Sequence, residues 1–98
     1  MSDTQADTQA TGRTADELDV ESWLGRLGAH LPAGTLDEVG TAERAALLDL
    51  ARIAAHQSHR RAAPISTYLV GLAFASLPRA ERLARIVDLA ARLDAERR

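Results

Sequence analysis

From Ile65 to Leu77 this chain is apolar on nearly every side, with only Ser66, Thr67 and Ser76 as polar interruptions. Pro64 opens the stretch, and proline suits a first helical turn. The stretch is therefore predicted to be a helix. A helix that is apolar all round is normally buried all round. In a chain of 98 residues that means either a central helix or a face covered by another subunit. Gly71 and Ala75 lie i, i+4 on it and would let another helix come close. Both the bundle and the docking idea rest on this segment being wrapped. An extended segment, or an outer helix bathed in water, would remove both.

The rest of the chain supplies its neighbours. Val20, Trp23, Leu24, Leu27 and Leu31 make one helical stripe. It begins at a Thr14–Glu17 capping box or at an Asp19 N-cap, and ends near Gly28 and Pro32. A loop follows over 32–41, with Leu36 and Val39 as its anchors. The second helix is predicted from Thr41, a good N-cap residue, to about His59. Its stripe is Leu47, Leu50, Ala51 and Ala54, with Glu43, Arg44, Asp49 and Arg52 outward. A fourth helix follows Pro78, with Leu83, Ile86, Val87, Ala90 and Leu93 inward. Alternating strand patterns are absent. The expected fold is all-α: a compact four-helix bundle over 16–98, the third helix innermost, behind a disordered tail over 1–15. That tail contains the repeat Asp3-Thr4-Gln5-Ala6, Asp7-Thr8-Gln9-Ala10, with nothing to bury.

Composition excludes several functions. There are no cysteines, so thiolate chemistry and Cys-based zinc sites fall away. Neither a signal peptide nor a membrane span is legible, so a cytoplasmic setting is expected. No Gly-rich phosphate loop or nucleophile elbow is present, no residue nominates itself as catalytic, and no cofactor or metal is expected. Net charge is −7 over residues 1–49 and +5 over 50–98, giving −2 in all. Mutual neutralisation of the two halves is the simpler reading; a polyanion partner is the other.

Three candidate sites stand out. His56 and His59 are three apart, but no third ligand completes a metal site; a helix C-terminus favours their positive charge anyway. Arg60 and Arg61 stand before the third helix, where free N–H groups attract anions. With Ser66 and Thr67 they could hold a small phosphorylated ligand; a solvated basic turn is the plainer account. The third is an interaction surface around His56, Tyr68, Gly71 and Ala75. Trp23 invites a binding reading, but its place in the first stripe favours core packing. Arg79, Arg82, Arg85 and Arg92 line the fourth helix and raise DNA binding. The interleaved Glu81 and Asp88, and the acidic total, argue against nucleic acid.

The run Leu47-Leu48-Asp49-Leu50-Ala51-Arg52, with Ala55-His56, Arg60 and Ala62-Ala63-Pro64-Ile65-Ser66-Thr67-Tyr68-Leu69-Val70-Gly71-Leu72-Ala73, resembles a small bacterial helical domain of unknown function. Leu18 to Leu24 resembles its opening helix. That domain is found alone or C-terminal to molybdenum-cofactor guanylyltransferase-like proteins. Gln57 stands where the pattern has a helix-ending Gly, and Arg61 where it has Pro. The resemblance implies a context near molybdenum-cofactor metabolism and brings no catalytic residues. Together these readings point to a non-enzymatic accessory module that self-associates or docks on a larger protein. An anion or nucleotide binder and a DNA-binding module are the alternatives.

Overall fold

The computed structural model describes residues 19–96. The tail expected over 1–15 and the Thr14–Glu17 capping box lie outside the described residues. Within them the elements are α1 (Val20–Gly28), a 3-10 turn (Leu36–Glu38), α2 (Thr41–Gln57), α3 (Ala62–Phe74) and α4 (Arg79–Glu96). Among the described residues there is no strand.

The chain divides into two compact units, up to Leu36 and from Asp37 onward. In the first, Asp19 caps α1: its Oδ1 accepts from the Ser22 amide at 2.7 Å. The chain then turns at Gly34, whose φ of +89° is a conformation that favours glycine. Leu36 lies against Gly28, where an added Cβ would stand 3.4 Å from the Leu36 Cδ2. No residue of α1 is buried. Trp23, expected as core, is 49% exposed. A nine-residue helix has too little of its own unit to pack against.

The second unit is built around α2, which packs against both α3 and α4, while α3 and α4 touch each other little. Ala46, Leu50 and Ile53 of α2 meet Ile86 and Ala90 of α4 in a small core, with Leu50 and Ile86 fully enclosed. The expectation that α3 is innermost is thereby overturned: α3 has no buried residue and α2 takes the middle position. The helices still pack as a bundle, because the core comes from α2 and α4. Docking no longer follows from a wrapped third helix, and only the exposed side of α3 can support it. Small residues bring α2 and α3 close: Ala46 and Ala54 on α2, and Ala62, Ala63 and Ser66 on α3. Because α3 is apolar all round, both its half-buried side, which includes Val70 and Phe74, and its exposed side are greasy.

Further expectations change: Val87 of α4, expected inward, is 52% exposed. Thr41 is the first helical residue of α2 rather than its cap; Gly40 takes the cap position in extended conformation, without a side-chain bond. Glu43, expected outward, is 7% exposed and is the buried charged residue of this core. Its carboxylate accepts two bonds from Arg82, at 2.6 Å from Nε and 2.8 Å from Nη2. Arg82 Nη2 also donates to the Glu38 carbonyl, and Arg79 Nη2 to that of Asp37. A buried acid is tolerated only with such pairing. The hydrogen bond to Glu43 raises the Arg82 pKa above its ordinary value, against the opposing effect of burial.

Candidate functional site

Helix α3 is apolar on both of its sides, and one of them is exposed. Its half-buried inner side carries Ala62, Ala63, Ser66, Thr67, Val70 and Phe74. Its outer side carries Ile65, Tyr68, Leu69 and Leu72, which are 61%, 67%, 57% and 58% exposed. Ser66 and Thr67 thus share the half-buried side with Val70 and Phe74, while Ile65, Leu69, Leu72 and Tyr68 form an exposed ridge. Thr67 satisfies its hydroxyl locally, donating to the Pro64 carbonyl at 3.1 Å. The outward residues follow the i, i+3, i+4, i+7 spacing of one helix face.

Of the interaction candidates, Tyr68, Gly71 and Ala75 lie on or beside this face, while His56 is exposed on α2. Gly71 has open space where a Cβ would stand. Sequence reasoning missed Ile65, Leu69 and Leu72 as surface residues. Residue pattern alone gives little signal for this, since small and large side chains occur on both sides of α3.

Beside Leu69 runs an open groove of about 420 Å³, with Leu50, Ile53, Val70 and Leu93 among its apolar walls. Gln57, which ends α2 where a glycine was expected, fastens one edge by donating Nε2 to the Leu93 carbonyl at 2.9 Å. The groove and the outer face of α3 therefore share Leu69.

The basic turn has a different character. The Arg61 amide donates to His59 Nδ1 at 3.1 Å, the Ala62 amide to the His59 carbonyl at 2.7 Å and the Ala63 amide to the Arg60 carbonyl at 3.2 Å. Pro64 has no N–H. The opening amides of α3 are thus engaged within the turn, so an anion there would rely on the Arg60 and Arg61 side chains. Ser66 faces the groove, away from such a ligand. His56 and His59 gain no third partner: among the described residues no group of three His, Cys, Asp or Glu could hold a metal ion. Of the arginines on α4, Arg82 is enclosed with Glu43, Arg85 pairs with Glu81 and Arg92 with Asp88. They form no continuous basic stripe.

A family model covers residues 14–98, nearly all of the chain including every described helix. The chain belongs to the family DUF6457, a domain of unknown function. No curated protein and no solved structure matches it. No described helix is long and apolar enough to cross a membrane.

Proposed function

We propose that this chain is a non-enzymatic accessory module that docks on protein through the outer face of α3. The observation that carries the reading is the continuous ridge of Ile65, Tyr68, Leu69 and Leu72 that this helix leaves in water. The largest apolar patch of a monomer, typically about 300–600 Å², is often a functional one. Covering roughly 450 Å² on this side alone would contribute about 11 kcal/mol gross at ~25 cal/mol per Å². Association costs of about 4–15 kcal/mol offset much of it, so the contact is one of moderate, tunable affinity.

The likeness to domains appended to molybdenum-cofactor guanylyltransferase-like proteins supports a setting: a cytoplasmic, bacterial protein near that metabolism. A phosphorylated ligand at Arg60 and Arg61 is the weaker alternative, because the opening amides of α3 are engaged in the turn. Nucleic acid is weaker still, because the α4 arginines are paired. The test is quantitative co-purification from the source cells with the wild-type chain and a Leu69→Glu, Leu72→Glu variant. Proteins retained by the first and lost by the second support the reading. Identical retention by both, with the variant folded by circular dichroism, overturns it.

A further inference from the structure

We infer that the occupant of the α3 face is a second copy of this chain, with the two α3 helices antiparallel across a twofold axis. The inference rests on the docking reading above and names the partner.

The first argument is the spacing. Ile65, Tyr68, Leu69 and Leu72 stand three, one and three residues apart. That series is its own reverse. Turning the helix end for end about the midpoint between Tyr68 and Leu69 sets Ile65 against Leu72 of the partner subunit. It also sets Tyr68 against Leu69 of the partner subunit. A twofold interface requires such reciprocity, because residue i meets j and j meets i. The same spacing marks any one-sided helix face, so it sets the register of a self-pairing, and the charge and area that follow select the partner.

The second argument is charge. Residues 62–77 carry no Asp, Glu, Lys or Arg. Two copies of a charged face repel; two copies of this one do not. Gly71, with open space around its Cα, and Ala75 border the face beside Tyr68 and let a second helix approach.

The third argument is area. A standard interface takes about 800 Å² from each partner, of which about two-thirds is apolar in homodimers. At about 60% exposure the four side chains offer roughly 450 Å². They therefore supply most of the carbon surface such a dimer needs, and neighbouring Pro64, Ala75 and the rim of the groove lie next to them.

Two measurements on the full chain test this. Light scattering across a concentration series reads the mass, which is 10.5 kDa for one chain. The expected result is twice that value, with Leu69→Glu weakening association at least a hundred-fold and Leu48→Glu, at a still more exposed site on α2, leaving it unchanged. The chain has no cysteine of its own, so introduced thiols report geometry without interference. An Ile65→Cys chain mixed with a Leu72→Cys chain should form a mixed disulfide at least ten-fold faster than either forms with itself.

Faster self-crosslinking of Ile65→Cys would mean parallel helices and overturn the inference. A monomer at every concentration also overturns it. If that monomer still loses a co-purifying protein on Leu69→Glu, Leu72→Glu substitution, the docking reading stands and only the identity of the partner was wrong. If it loses none, both fail.

Discussion

The Glu43–Arg82 pair offers the sharpest test of how the second unit is held together. The two side chains are nearly enclosed and joined by two short bonds. With charge centres about 4 Å apart, their attraction is about 4 kcal/mol at an effective dielectric constant of 20. Much of that is offset by the cost of removing both ions from water. The pair as a whole is therefore worth little against an apolar replacement, whereas an orphaned member is costly. Arg82→Met leaves the Glu43 carboxylate enclosed without its partner and should cost about 3 kcal/mol; Glu43→Leu should cost a similar amount. The double variant should cost about 1 kcal/mol or less, since two apolar side chains then meet. For a chain of this size about 3 kcal/mol corresponds to a fall of roughly 12–24 °C in Tm. Urea unfolding followed by circular dichroism, with m compared across the cycle, measures all three. If the double variant cost the sum of the singles, the pair would be two independent contributors and the reasoning would fail. If each single cost under about 0.5 kcal/mol, the site would be wet rather than enclosed.

Other outcomes follow from the same structure. Leu50→Ala, at a fully enclosed position, should destabilise by about 3 kcal/mol, whereas Leu48→Gln on the outer side of α2 should change stability by less than about 0.5 kcal/mol; urea unfolding separates them. Asp19→Ala removes the α1 cap and should cost that helix about 1 kcal/mol, read as faster hydrogen exchange at the α1 amides with α2 and α4 unchanged. Gly34→Ala forces a Cβ into a positive-φ turn and should cost about 1 kcal/mol despite the open space around it; thermal unfolding of the pair of chains tests this.

Much of the fold was legible because α2 and α4 each carry large and small apolar residues on one side and ions on the other. Their existence, approximate ends and several core positions, including Leu50, Ile86 and Ala90, follow from period alone. Periodicity failed for α3 because a helix apolar in every direction has no preferred side by that measure. Only its first turns show a bias in bulk, with Ala62, Ala63 and Ser66 on the half-buried side; further along, Phe74 lies on that side and Gly71 and Ala73 are exposed, so residue size does not orient it. Glu43 was misread for a related reason. An acid in a first turn is usually placed there by the helix dipole, so it was assigned outward. Its register with Ala46, Leu50 and Ile53 at three-, four- and three-residue steps marks it as a core position. Arg82, one turn before Ile86, is the matching mark on α4. Trp23 was assigned to a core by its stripe, but a stripe says only which side is greasy, and α1 is too short to enclose it. The basic turn was conspicuous in the sequence, yet the use of its amides by His59 and Arg60 depends on backbone geometry that no residue pattern specifies.

The two arginine bonds to the carbonyls of Asp37 and Glu38 tie the opening residues of the second unit to the start of α4. That stretch is thereby fastened at its own entrance: two guanidinium clasps hold the backbone just ahead of α2 against the first turn of α4.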